Sequence, residues 1–321
     1  MSTTEEPDAL IAHVRICGES ARLAGLIYPT TRNLETTRLE GLAPGKACPA
    51  TPASYTPAAN TVERKVTTAW HPDWRLETRQ AEPKKLTTWV YNGQPDPTNA
   101  NAVANCAPAT ALLPGGKPIT VLCKKVEQAT TDLTGASGLA ATQTGTARVW
   151  SYTYNATGQV LTVNGPRTDV TDVTTYAYYT DTTATHRVGD LSSVTDAAGH
   201  VTQFTSYDAH GHPLTVVDVN NVTTTLDYYP RGWLKSSSVG PAAGPTLATS
   251  YVYDNTGLLK TVTHPDGAVL TYSYDDAHRL TGIADSLGNT VTYVLDAMGN
   301  RKVTTRPPSH KSALTGPSGW R

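Results

Sequence analysis

Residues 251–305 read YVYDNTGLLKTVTHPDGAVLT (251–271), YSYDDAHRLTGIADSLGNTVT (272–292) and YVLDAMGNRKVTT (293–305). Set over one another at a spacing of 21 residues, the three copies stay in register. Tyr251, Tyr272 and Tyr293 fall in one column, and Tyr253, Tyr274 and Leu295 in the next. Asp254, Asp275 and Asp296 follow, and then Gly257, His278 and Gly299. Leu259 lies over Leu280, Val262 over Ile283, and Gly267 over Gly288. A fixed period of this length marks a repeat architecture, in which each unit buries its apolar face only against its neighbours.

Within a copy, Leu270-Tyr272-Tyr274 and Val291-Tyr293-Leu295 alternate large side chains with small or polar ones. Period two with aromatic and β-branched residues is the pattern of a strand with one buried face. The Asp three residues before each Gly suits a turn: its side chain caps the backbone, and Gly takes the positive φ on leaving. A second strand (258–263) and a second turn at Pro265-Asp266-Gly267 complete the unit, so each unit is expected to be a two-stranded meander.

Working back from this stretch, the turn positions are Gly158, Gly189, Gly211, Gly232, Gly257, His278 and Gly299. Their spacings are 31, 22, 21, 25, 21 and 21, which makes seven units, regular toward residue 305 and loosened by insertions earlier. Tyr154, Tyr207 with Asp208, and Tyr228 open the corresponding units. Residues 150–305 are therefore expected to be the repeat array, and 61–149 degenerate hairpins with long inserted loops at Gly93–Pro118 and Thr134–Thr146. A hairpin over 62–76 turns at His71-Pro72-Asp73, with Trp70 and Trp74 placed to pack across strands. Residues 1–60 show no period. A short helix is expected at Ala9–Ile16, an extended linker at Pro44–Pro57, and low order before Gly25. Residues 306–321 are expected to be a disordered tail.

Composition narrows the function classes. Lys plus Arg number 26 against 27 Asp plus Glu, a net charge of −1, which gives no basic stripe for nucleic acid or an anionic membrane. The aromatics are 16 Tyr and 6 Trp against one Phe, suited to a wall that is apolar in its plane and wet at its edges. The first residues lack a basic region followed by an apolar run, so no signal peptide is expected. No stretch approaches the ~20 apolar residues of a membrane span. Cysteines 17, 48, 106 and 123 form no C-x-x-C pair. Cys106 and Cys123 flank a Pro- and Gly-rich loop and can either bridge, in an exported protein, or remain free thiols.

Tyr-Asp-x-x-Gly-x-Leu-x-x-Val with a second Gly ten residues on is carried by Tyr253, Asp254, Gly257, Leu259, Val262 and Gly267, and again in part by Tyr207, Asp208 and Gly211. It resembles the YD repeat of the Rhs family, bacterial relatives of the teneurins, over about residues 60–305. The resemblance implies an all-β fold: an array of β-hairpins forming a curved spiral sheet, here preceded by a poorly ordered segment. It also implies a secreted or cell-surface shell that encloses a C-terminal toxin and delivers it in contact-dependent competition. The family's self-cleavage core, with Asp-Pro-x-Gly-Leu, does not occur in this sequence. Seven units are also too few for a closed shell. The chain is therefore expected to be a partial segment of the wall, with the rest of the shell or a toxin domain as partner. Its open edges lead to an expectation of oligomerisation or partial unfolding in isolation.

Each candidate site in this sequence falls on a position of the repeat. His200, His210 and His212 suggest a metal, but they sit at turn tips that need not converge, so no metal or cofactor is expected. Asp208, Asp254, Asp275 and Asp296 suggest paired carboxylates, yet a catalytic pair is unique whereas a turn Asp recurs. Asp275-Asp276 and Asp218-Val219-Asn220 lack a calcium-loop spacing. No catalytic residue is assigned, and the chain is expected to be non-enzymatic. The structural motif residues are Tyr154, Gly158, Gly189, Tyr207, Asp208, Gly211, Tyr228, Gly232, Tyr253, Asp254, Gly257, Tyr274, Asp275, Asp296 and Gly299. The Tyr ladder is expected to pack strand on strand. Stacking of cell-surface carbohydrate on that face is the alternative.

Overall fold

The computed structural model describes residues 15–22, 33–42, 46–59, 61–241 and 244–306, with residues 15–22 and 33 described by their backbone alone. Among the described residues the regular structure is nearly all strand, and the chain divides into two compact units, 1–176 with 196–198, and 177–195 with 199–321. No helix among the described residues is long and apolar enough to cross a membrane.

The first unit contains β1 (Arg15–Arg22), β2 (Asn33–Leu42), β3 (Arg64–Trp70), β4 (Glu77–Glu82) and β5 (Lys85–Tyr91). A two-residue pair, β6 (Pro95–Asp96) and β7 (Ala102–Val103), forms its own small ribbon. Then come β8 (Leu122–Thr130), β9 (Gln143–Tyr154), β10 (Val160–Asn164) and β11 (Val173–Tyr178), the last of which crosses the division at residue 176. Pairing is antiparallel throughout and, apart from the ribbon, runs between successive strands from β1 to β11.

Strands β1 and β2 lie where the sequence shows no period. The expected helix at Ala9–Ile16 lies outside the described residues except for Arg15 and Ile16, which begin β1. Residues 46–59 are irregular with one 3-10 turn at Pro52–Ser54, and most of the expected tail lies outside the described residues. Trp70 and Trp74 do not share a hairpin face. Trp74 sits in the turn, 42% exposed, while the Trp70 indole N–H donates to the Glu35 carbonyl. The second loop is shorter than expected, because β9 already begins at Gln143.

This unit has a core because its inserted loops fold back over the sheet. Lys65 N–H donates to the Thr134 carbonyl, and the Arg79 guanidinium donates to the Leu139 carbonyl, which fixes residues 134–140 over β3 and β4. The 93–121 loop is anchored by Asn92. Its amide nitrogen donates to the Ile119 carbonyl and its amide oxygen accepts from Cys106 N–H. A disulfide joins Cys106 to Cys123, and Cys48 is also disulfide-bonded. Ala107 and Ala111 are thereby buried against Tyr154. Around these layers Leu34, Leu39, Val66, Leu86, Val90 and Val126 are also buried.

The second unit contains β12 (Leu191–Thr195), β13 (Val201–Tyr207), β14 (Pro213–Val217), β15 (Val222–Tyr228), β16 (Leu234–Pro241) and β17 (Leu247–Tyr253). It continues with β18 (Leu259–Thr263), β19 (Val269–Tyr274), β20 (Leu280–Asp285), β21 (Thr290–Leu295) and β22 (Arg301–Thr305). Each strand pairs antiparallel with the next from β12 to β22. The registers place Tyr251 opposite Val262, Val262 opposite Leu270, and Tyr272 opposite Ile283, so one face carries the apolar columns of the repeat. The turns here are short and supply no covering layer. Among the described residues of this unit, Val262 is the only buried large hydrophobic side chain.

Candidate functional site

The repeat motif builds one device many times over. In the turn after β17, Asp254 N–H donates to the Leu258 carbonyl and Gly257 N–H to the Asp254 carbonyl. Asp254 Oδ1 accepts the N–H groups of Thr256 and Leu258, at 2.8 and 2.9 Å. Asp208, Asp275 and Asp296 make the same pair of side-chain caps to the residues two and four ahead. Asn155 does so in the turn after β9. A carboxylate that accepts backbone N–H bonds is stabilised in its charged form. Asp254 is accordingly held below its ordinary range by the Thr256 hydroxyl and then the Leu258 N–H, and Asp296 by the Asn300 side chain and N–H. Burial pushes the Asp208 carboxyl up, but hydrogen bonds from His212 and the His210 N–H outweigh it and bring it to about 2.

All seven turn-column residues have positive φ, from +61° at His278 to +93° at Gly257. The register shifts by one residue just before each turn, at Val252/Tyr253, Ser273/Tyr274 and Val294/Leu295. A short hairpin loop closed by a left-handed residue and a bulge has this geometry. The recurring Asp and Gly thus sit in turns, and the four Asp residues head four separate turns.

The tyrosines follow a rule of their own. Tyr154, Tyr207 and Tyr274 each end a strand and donate the phenol O–H to the carbonyl of the first residue of the preceding strand, Leu122, Leu191 and Leu259 respectively. Burial is the first cause that raises each of these phenols, Tyr207 to about 12. The ladder therefore ties strand to strand through hydrogen bonds as well as through packing.

Sequence reasoning weighed Asp218 only as a calcium candidate and did not single out Asp285 or Asn221, yet all three perform the same tasks. Asp218 and Asp285 cap the second turns of their units, with Oδ1 accepting from residues two and four ahead. Asn221 takes the left-handed position at φ +58°, ten residues after Gly211, where other units place Gly. Column alignment was the signal that identifies all three. Tyr229 occupies the Asp column; its O–H reaches the Tyr251 carbonyl at 3.2 Å, and its ring meets Tyr253 edge-on at 6.1 Å. Trp233 lies 5.3 Å from Tyr253, with the Arg231 guanidinium over its ring. Tyr229, Arg231, Trp233 and Tyr253 line an open cleft of about 520 Å³.

One turn departs from the pattern. Asp208, His210 and His212 bring their ligand atoms within 4.8 Å of one another. His200, grouped with these histidines by sequence, is not part of that cluster.

The RHS Repeat family profile matches residues 186–223, 253–290 and 274–309. No curated protein matches the chain significantly. Among solved structures, the crystal structure of TcdB2-TccC3 is 16% identical over 74% of this chain and 11% of that one, with a TM-score of 0.43. TcdB2-TccC3 without its hypervariable C-terminal region is 19% identical over 74% and 11%, with a TM-score of 0.39. The Photorhabdus luminescens Tc holotoxin pore, carrying a TccC3 mutation, is 15% identical over 86% and 15%, with a TM-score of 0.41. The chain spans 11 to 15% of the length of these proteins. The RHS Repeat matches fall on the segments that carry the recurrent turns, so residues 186–223 and 253–309 are built of RHS repeats.

Proposed function

We propose that this chain is a non-catalytic segment of an Rhs-type shell wall, which encloses a toxin domain and serves its delivery in contact-dependent competition. The observation that carries the reading is the second unit. It is a one-layer meander whose columns are apolar on one face, with Val262 alone buried among its described large hydrophobic side chains. A sheet of this kind works as a partition between two environments, since its backbone is satisfied within the layer. The recurring Asp and Gly residues act in turns, and the motif side chains of different units are spent on caps and strand ties. Its partners on this reading are the remainder of the shell and the toxin domain, and its location is secreted or cell-surface. Cryo-electron microscopy of the full-length protein, alone and with the products of adjacent reading frames, tests the reading. A hollow particle with β12–β22 in its wall is expected, whereas a solid fold in which these strands cover one another refutes it.

A second reading is favoured by one observation, the cleft formed by Tyr229, Arg231, Trp233 and Tyr253. Aromatic planes beside polar groups suit a sugar ring, and cell-surface carbohydrate is the ligand class. Binding on a glycan array that disappears in Trp233→Ala, with the circular dichroism spectrum unchanged, supports it. An array without signal removes it.

A further inference from the structure

We propose that the turn after β13 is a binding site for a divalent transition-metal ion, Zn²⁺, with Asp208, His210 and His212 as its ligands. The three residues are spaced i, i+2 and i+4 on a single turn, and the Asp cap folds that turn so that its side chains converge. Asp208 Oδ1 is occupied by the N–H groups of His210 and His212, at 2.8 and 3.0 Å. Asp208 Oδ2 is left facing the imidazoles. It lies 2.8 Å from His212 Nδ1 and 3.9 Å from His210 Nδ1. Ligand atoms on a tetrahedral zinc, at bond lengths of about 2.1 Å, are about 3.4 Å apart, so the observed separations bracket the required one. Reaching it takes side-chain rotation of His210, whose side chain is 70% exposed, and a small opening of the His212–Asp208 hydrogen bond.

The repeat itself supplies the comparison. The two positions held by His210 and His212 are Thr256 and Leu258 after β17, Ala277 and Arg279 after β19, and Met298 and Asn300 after β21. None of those pairs adds an imidazole to the Asp. His212 is also held in place. Its ring stacks on Tyr228 at 4.9 Å, and a Cβ at residue 232 would lie 3.2 Å from its Cε1 and Nε2, a space that Gly232 leaves open. A fixed imidazole, a fixed carboxylate and one adjustable imidazole form an N₂O donor set suited to zinc. The set leaves at least one coordination position for water or for a side chain of another molecule.

The test is calorimetric titration of the full chain with zinc chloride, together with two variants. His212→Asn keeps the side-chain donor to Asp Oδ2 that Asn289 and Asn300 provide in their own turns, and so preserves the cap. His210→Ala removes an exposed side chain whose nearest polar partner is 3.9 Å away, and so leaves folding intact if the first variant does not. One zinc per chain is expected at this site. Each variant should weaken binding at least about tenfold, since loss even of an outer-shell partner costs 10–100-fold. Melting in EDTA should be unchanged for His210→Ala. His278→Gly, at another turn, should bind as the parent does. Absence of saturable binding, or binding that neither His210→Ala nor His212→Asn weakens, overturns the proposal.

Discussion

Gly257→Ala and Gly267→Ala make the same chemical change at two turns of one repeat, yet the structure assigns them different costs. Both glycines have positive φ, +93° and +85°, so each alanine meets the left-handed penalty of about 1–2 kcal/mol. A Cβ at Gly267 meets nothing within 4 Å. One at Gly257 lies 2.7 Å from Trp233 Cζ2 and 3.3 Å from Cε2 and Cη2, so the indole must move. Overpacking of this kind adds about 1–3 kcal/mol. Gly257→Ala should therefore cost about 2–5 kcal/mol and Gly267→Ala about 1–2 kcal/mol. At a urea m-value of about 2 kcal/mol/M, the midpoints should differ by about 0.5–1.5 M. His278 already holds the same column at φ +61°. His278→Gly should shift the midpoint less than either, because relief of left-handed strain is offset by the greater entropy of glycine in the unfolded chain. Urea unfolding followed by circular dichroism measures the order, and hydrogen exchange over 253–259 localises it. Equal shifts for the two alanine variants would refute the assignment of Trp233 as the obstacle.

Three further outcomes follow from other contacts. The double variant Cys106→Ser, Cys123→Ser releases a loop of 17-residue separation, which should cost about 3 kcal/mol and open residues 93–121 to protease. His71 is fully buried, accepts Asp73 N–H at Nδ1, and is depressed mainly by burial, with Asp73 opposing and Lys117 adding to the shift. Its neutral form is the folded one, so its contribution to stability is complete above about pH 6.5 and is lost as pH falls from there toward the lower folded value. The carboxylates Glu63 and Asp208, both at about 2, act lower, with stability present above about pH 4 and lost as pH falls to 2. Melting temperature against pH should show the two steps separately, and His71→Phe should remove only the upper one. Tyr207→Phe and Tyr274→Phe delete the O–H bonds to Leu191 and Leu259 and should each cost about 0.5–1.5 kcal/mol by chemical denaturation.

The turn columns were legible because each turn uses local chemistry: the Asp at 254 or 296 caps groups two and four residues away, and the Gly at 257 or 299 answers a backbone requirement. Where the controlling contact is distant, the sequence is silent. Strands β1 and β2 have no Asp–Gly spacing, and β2 is placed by pairing with β3 across an irregular segment of the chain. The loop at 93–118 was visible as an insertion, but its role as a cover over Tyr154 depends on Asn92 and on the disulfide, whose formation the spacing left open. The histidines show a related limit: the sequence places His210 and His212 on either side of Gly211 and His200 at another turn, but the approach of both imidazoles to Asp208 depends on how its cap folds that turn. The cleft at Trp233 comes from Tyr229 in a column where other units place Asp, an irregularity that alignment reveals without giving its geometry.

The even meander of β12 to β22 also has an evolutionary consequence. Every strand bonds only to its chain neighbours, and the regular units are 21 residues long. Duplicating or deleting one such segment adds or removes two strands, about 9.5 Å of sheet width, while the alternation of faces is preserved. The width of such a sheet can therefore change in whole steps by recombination within a gene. Strand pairing is kept, and only side-chain contacts across the new junction, such as that of Gly257 with Trp233, have to be remade.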